Sequence, residues 1–211
     1  MFSVIFDMDG TLFDSQHIFI PAWNTVGEKY GFKNMGEHIP NVCGVNEHFS
    51  KKYLKENFPG IDVDAFKADV REYIAKNLVL RFKTGAKELL EYLRSRKVKI
   101  GLATGTSRGS TNSHLREMNI TEFFDASVCG TEIENGKPAP DIFLKTAELM
   151  GVKPDDCFVF EDSENGIRAA SKAGMKCIGI ADIKPFSDEV KALMYCELES
   201  MFEAIELFKK M

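Results

Sequence analysis

The sequence predicts an α/β protein in which a parallel sheet is covered by helices on both faces and an all-helical block is inserted near the start of the chain. Three features predict it. Short β-branched or aromatic runs alternate with helical stripes from Thr84 onward, the pattern of parallel strands joined by crossovers. Nothing between Ser15 and about Lys83 looks like a strand. The runs also end on distinctive residues, Asp7 and Asp9 after the first and Glu161-Asp162 after a later one. Right-handed crossovers keep such strand ends on one side of a sheet.

The elements follow in order. The first strand starts at Ser3 and stops on Asp7 and Asp9, where Gly10 lets the backbone turn. Asp14 or Ser15 can cap the next helix, which Phe19, Ala22, Trp23, Val26 and Tyr30 stripe and Gly31 stops. Pro21 makes that helix kink or begin late. Residues 33–46 hold Gly36, Pro40 and Gly44 and read as loop. Helices are predicted from Glu47 to Asn57 and from Val63 to Lys76. Beyond Thr84, Ala86, Leu89, Leu90 and Leu93 stripe a helix, and Val98 to Ala103 is a buried strand ending at Thr104-Gly105-Thr106. A short helix around Thr111 to Met118, a weak strand near Ala126 to Cys129 and a loop through Lys137 come next. A helix starting at about Pro140 ends before Gly151. Cys157 to Phe160 is strand, Ser163 to Ala173 helix and Lys176 to Ile180 strand. A last strand near Met194 to Cys196 and a helix from about Ser200 complete the chain.

Composition narrows the classes. The chain has 211 residues, 44% hydrophobic and 28% charged, enough for one large domain or a main domain with an insert. A net charge of −5 argues against nucleic acid as a partner. Cys43, Cys129, Cys157, Cys177 and Cys196 are scattered without a CxxC pair, as expected of reduced thiols in a cytoplasmic protein. The amino terminus runs straight into a strand rather than a signal peptide. No apolar run approaches the roughly 18–20 residues a membrane helix needs, so no membrane partner is expected.

Each polar strand end has an ordinary explanation. Asp9-Gly10 can be only a turn, and Thr104-Gly105-Thr106 only a strand-to-helix connection. Lys137 can be solvated, and Glu161-Asp162-Ser163 can cap a helix. Their joint occurrence is harder to dismiss. Carboxylates from two strand ends with a backbone carbonyl make a hard oxygen site suited to Mg2+. A hydroxyl, nearby backbone N–H groups and a lysine can grip phosphoryl oxygens. Together they describe an aspartate-based phosphoryl-transfer site.

The segments Asp7-Met-Asp9-Gly10-Thr11, Thr104-Gly105-Thr106, Gly136-Lys137-Pro138-Ala-Pro140-Asp141 and Phe160-Glu161-Asp162-Ser163 resemble the four motifs of the haloacid dehalogenase superfamily. Their order and spacing are similar to its phosphatase and β-phosphoglucomutase-like branch. The resemblance implies a Rossmann-like three-layer core, residues 1–14 and 84–211, and an inserted helical cap domain, residues 15–83, that closes over the site. It implies Asp7 as nucleophile and Asp9 as acid and base. Asp7, Asp9 through its carbonyl, Asp162 and Glu161, the last through water, would surround Mg2+. Thr104, Gly105 and Lys137 would hold the phosphoryl oxygens, and Thr11 would set the loop after Asp9.

The function so implied is hydrolysis of a small phosphorylated metabolite through an aspartyl phosphate. The alternative is a sugar-phosphate mutase of the β-phosphoglucomutase type, with a non-catalytic binding member third. Mutases of that branch carry a histidine where this chain has Phe19, and basic residues around a Gly-Val pair. Here Cys43 and Glu47 flank Gly44-Val45, and a carboxylate there would repel a second phosphate. In the cap, Trp23, Phe19, Phe49 and Tyr53 can line a pocket or a core, and Asn24, Asn46 and His48 can offer hydrogen bonds to a substrate. Lys51, Lys52 and Lys55 read as a solvated face, His17 as surface, and Arg108 as facing either the leaving group or solvent. A monomer is expected, with hinges near Phe13 to Ser15 and Arg81 to Thr84.

Overall fold

A computed structural model describes residues 2–42, 47–182 and 184–211. In chain order its elements are β1 (Ser3–Phe6), α1 (Phe19–Lys29), α2 (Ile39–Val42), α3 (Glu47–Asn57), α4 (Val63–Asn77), α5 (Ala86–Ser95) and β2 (Ile100–Thr104). There follow α6 (Arg108–Glu117), β3 (Ala126–Cys129), α7 (Asp141–Met150), β4 (Cys157–Glu161), α8 (Glu164–Lys172), β5 (Lys176–Gly179), α9 (Asp188–Lys191), β6 (Cys196–Glu197) and α10 (Met201–Lys209).

The six strands form one sheet in the order β3-β2-β1-β4-β5-β6, every neighbouring pair parallel. β1 is central, with Val4 opposite Ile100 on one side and Phe158 on the other. Successive side chains of a strand point to opposite faces. Ile5 and Val159 accordingly join Ile142, Phe143 and Ala147 of α7 and Ile167 and Ala170 of α8 in one buried layer. Phe6, Phe158 and Phe160 form the other, where Phe6 stacks on Phe160 at 4.9 Å and Phe208 of α10 meets Phe158 edge-on at 5.3 Å. Strands buried on both faces need apolar side chains at every position, which is why they read as continuous hydrophobic runs. The α/β, Rossmann-like three-layer fold anticipated above is the observed one.

The chain divides into two compact units, Met1–Asp14 with Leu80–Met211, and Ser15–Val79. The first unit therefore resumes four residues before the anticipated residue 84. Leu80 to Lys83 belong with the sheet unit because Arg81 O accepts from Asp14 N and Lys83 N donates to Leu12 O, each at 2.9 Å. Backbone pairing across so many residues of sequence leaves no local signal.

Within the second unit, the described residues form no strand. α1 begins late, at Phe19, so Pro21 falls in the first turn, where a missing N–H leaves no bond unmade. Trp23 and Tyr30 both meet Phe66 of α4 edge-on, at 5.3 and 5.7 Å, so Trp23 is a core residue. Residues 35–42 are not loop: a single 3-10 turn, Met35–His38, leads into α2. Gly36 makes this possible. A Cβ there would lie 2.6 Å from Ile20 O, and Gly36 N donates to Asn24 Oδ1 at 2.8 Å. The expectations for Cys43, Gly44, Val45 and Asn46, and for the side chains of Glu47, His48 and Phe49, lie outside the described residues.

Phe158 is fully buried among Phe2, Tyr195 and Phe208. Phe158→Ala should lower unfolding free energy by about 3–5 kcal/mol in urea titration, because the surrounding rings cannot collapse into the void.

Candidate active site

Because every strand is parallel, the carboxyl ends of β1, β2 and β4 share one edge of the sheet. From β1 the chain proceeds outward through β2 and β3, then crosses back to β4 on the other side of β1, and ligand crevices open at such a reversal. Asp7 directly follows β1, Thr104 ends β2 and Glu161 ends β4. Lys137 reaches in from the loop before α7, and its backbone continues into a cis bond to Pro138.

The side chains converge on Lys137. Its Nζ donates to Asp7 Oδ1 and Glu161 Oε1, both at 2.5 Å, and to Ala103 O at 3.2 Å. The Phe143 ring centroid lies 5.0 Å from the ammonium. Glu161, 1% exposed, turns its other oxygen to Ser163, which donates both N–H and Oγ at 2.8 Å. Around this centre, Thr106 Oγ1 donates to Asp9 Oδ2 at 2.6 Å and Thr11 Oγ1 to Asp162 Oδ1 at 3.1 Å. Thr106 N donates to Thr104 Oγ1 at 3.1 Å. Gly10, at φ 81°, reverses the chain so that Gly10 N meets Phe13 O at 2.9 Å, which places Asp9 one turn beyond Asp7. The structure thus brings Asp7, Lys137 and Glu161 into direct contact. It ties Asp9 to the β2 loop and Asp162 to Thr11.

Burial dominates the electrostatics. Asp7 is 7% exposed, and desolvation pushes its carboxyl up to about 7, against the pull of Lys137 and with the push of Glu161. Burial, then Glu161 and Asp7, also hold the Asp162 carboxyl well above the usual range. Desolvation works against the Lys137 ammonium, but Asp7 and Glu161 outweigh it and keep the group charged far above neutral pH. One lysine faces more carboxylate charge than it can neutralise.

That excess bears on a cation. Among the described residues, no three His, Cys, Asp or Glu side chains stand together as a metal-holding group, and Lys137 lies between Asp7 and Glu161. The donors available are all oxygens, crowded and under-compensated, the chemistry of a hard divalent ion rather than of zinc or copper.

Four further candidates have other partners. Arg108 grips Glu132 and Ser127. Tyr53 OH lies 2.8 Å from His38 Nδ1 and 3.0 Å from Asn41 Nδ2. Lys51 pairs with Asp64 on the surface at 2.8 Å, and Asn24 binds Gly36. Two residues at the centre were not singled out from the sequence: Ser163, beyond its capping role, and Gly166. A Cβ on Gly166 would lie 1.8 Å from Glu161 Oε1. The signal was a glycine three residues after the capping serine, in the first turn of a helix where a better helix former would be the default.

The family profile described as haloacid dehalogenase-like hydrolase matches residues 4–180. The chain belongs to this family. It is 35% identical over 181 residues to a "Phosphorylated carbohydrates phosphatase" of Thermotoga maritima, covering 84% of each chain. It is 32% identical over 196 residues to a "Beta-phosphoglucomutase" of Bacillus subtilis, covering 88% of this chain and 85% of that one. A crystal structure of the β-phosphoglucomutase type from Thermotoga maritima superposes with a TM-score of 0.80 at 30% identity, over 100% of this chain and 99% of the other. Membership makes this a hydrolase-family enzyme of the phosphatase or phosphoglucomutase-like kind. Among the described residues no helix is long and apolar enough to cross a membrane.

Gly166→Ala should displace the Glu161 carboxylate and cost about 1–3 kcal/mol of stability, despite alanine's better helix propensity. In a Glu161→Ala background that cost should vanish, which a double-mutant cycle of urea midpoints reads directly.

Proposed function

We propose that this chain is a Mg2+-dependent phosphatase that hydrolyses a small phosphorylated metabolite, a phosphorylated carbohydrate foremost, through an aspartyl phosphate. The observation that carries the reading is the pairing at the end of β1. Asp7 is buried and held by Lys137, while Asp9 is turned by Gly10 onto the separate Thr106 hydroxyl. Two acids with different environments can take different roles.

In the first half-reaction a carboxylate oxygen of Asp7 attacks phosphorus. The bond from phosphorus to the substrate oxygen breaks, and Asp9 gives that oxygen its proton. In the second, Asp9 takes a proton from water as the water oxygen attacks phosphorus. The Asp7–phosphorus bond breaks, releasing inorganic phosphate and restoring both acids. Lys137, Thr104 and the backbone at Gly105 hold the phosphoryl oxygens, so that developing charge meets fixed donors. Lys137 bound to Asp7 Oδ1 also orients the nucleophile. Asp7, Asp162 and the Asp9 carbonyl would hold Mg2+, which would supply neutralising charge there. Both Glu161 oxygens are engaged by Lys137 and Ser163, which favours its acting through water rather than directly.

The Thermotoga relative named a phosphatase of phosphorylated carbohydrates supports the substrate class. The Bacillus relative supports the second reading, a sugar-phosphate mutase. Phe19 in place of the mutase histidine favours the phosphatase. The presence of every motif residue leaves a non-catalytic role without support.

Hydrolysis of a generic aryl phosphate should stop on addition of EDTA and return with Mg2+. Asp7→Asn should lower kcat on the order of a thousandfold or more. Turnover that survives either change would sink the mechanism. Asp9→Asn should cost about 10²–10⁴-fold, and less for substrates whose leaving group needs no proton, such as 4-nitrophenolate. A panel of phosphorylated sugars decides between the readings: β-glucose 1-phosphate isomerised faster than any compound is hydrolysed would make this a mutase.

A further inference from the structure

An arginine at the start of α6, beside a proposed phosphate-gripping loop, is the obvious anion contact. Its hydrogen bonds point elsewhere. Arg108 Nε and Nη2 bind the two Glu132 oxygens side by side, each at 2.7 Å. Nη1 donates to Ser127 Oγ at 2.6 Å and Nη2 to Ser127 O at 2.8 Å. Every guanidinium nitrogen is thereby engaged with β3 or the turn that follows it. Glu132 in turn accepts from Cys129 N at 2.9 Å, so the carboxylate links the arginine to the end of β3.

A second contact joins the same two segments independently. Cys129 lies opposite Thr104 in the sheet register, which sets Gly130 beside Gly105. A Cβ on Gly130 would lie 2.6 Å from Gly105 O and 3.1 Å from Gly105 Cα. The backbones therefore touch, and only glycine allows it. A Cβ on Gly105 itself would meet nothing within 4 Å. The loop after β2 is braced on its β3 side by the turn Gly130–Glu132, while on its β1 side Thr106 binds Asp9.

We infer that Arg108 is a positioning residue: through Glu132 it clamps the turn Gly130–Glu132 against Gly105, and so sets the loop that grips the transferred phosphoryl group. The proposal rests on the phosphatase reading for its consequence and on these contacts for its geometry. The bidentate fork matters because it fixes orientation as well as distance, which an ammonium would not.

The test uses competitive inhibition by inorganic phosphate, a quantity that does not change when part of the enzyme is merely unfolded. Arg108→Ala and Glu132→Ala should each raise the phosphate Ki about tenfold, within the loss that an ångström of misplacement can bring. The double variant should be no worse than either single one. Gly130→Ala, which pushes on Gly105 without touching the clamp, should give the same rise. A raised Ki in Arg108→Ala with an unchanged Ki in Glu132→Ala would make Arg108 a direct anion contact and overturn the proposal. So would losses that multiply in the double variant, or no change in any. Amide hydrogen exchange at Gly105 and Thr106 tests the clamp without reference to phosphate. Faster exchange in Glu132→Ala supports it even if the wild-type enzyme binds no phosphate, in which case the phosphatase reading alone fails. Unchanged exchange overturns it.

Discussion

The structure depends on one buried cation. The ammonium of Lys137, 14% exposed, stands between the carboxylates of Asp7 and Glu161. Removing two carboxylates from water is costly, and their attraction to a lysine offsets the cost only when geometry and further hydrogen bonds are good. Here they are. Lys137 also reaches the Ala103 carbonyl, and Ser163 binds the far side of Glu161 with two donors. Even so burial disfavours the charged forms of Asp7 and Asp162, and neighbouring carboxylates add to that cost. A site in that condition is suited to ligands that bring positive charge, and Mg2+ is the proposed one.

The sheet makes this arrangement possible. Parallel pairing aligns the ends of β1, β2 and β4, so that residues 7, 104 and 161 share an edge although most of the chain separates them. Hydrogen bonds between neighbouring strand ends, such as Asp7 N to Phe160 O at 3.0 Å, fix the spacing of the carboxylates. Two glycines finish the work at close quarters. Gly166 leaves room for the Glu161 carboxylate at the start of α8, and Gly130 lets its turn lie directly on Gly105. Both act by the absence of a side chain.

Much of this was legible in the residues. The alternation of strands and helices, the strandless block after Ser15 and the three polar strand ends each have a local cause: periodicity, capping or turn chemistry. What escaped had no local cause. Residues 35–42 looked like loop because Gly36 and Pro40 interrupt the pattern, yet Gly36 is there so that its segment can lie against α1. Leu80 to Lys83 looked like part of the insert because their backbone partners, Leu12 and Asp14, lie about seventy residues away. Arg108 looked equally suited to substrate or solvent, and only Glu132 and Ser127 resolve which way it turns.

By itself the sequence determined the α/β class and the alternation of strands and helices, and it marked the acids at the strand ends and Lys137 in its loop as candidates, because periodicity and motif spacing are properties of neighbouring residues. Tertiary structure alone decided that Lys137 lies between Asp7 and Glu161, that Asp9 turns to Thr106, and that Arg108 turns to Glu132. The physical reason is that a side chain's partner is chosen by what the sheet brings within hydrogen-bond reach, and that depends on strand register and close backbone approach, neither of which is written in any single stretch of chain.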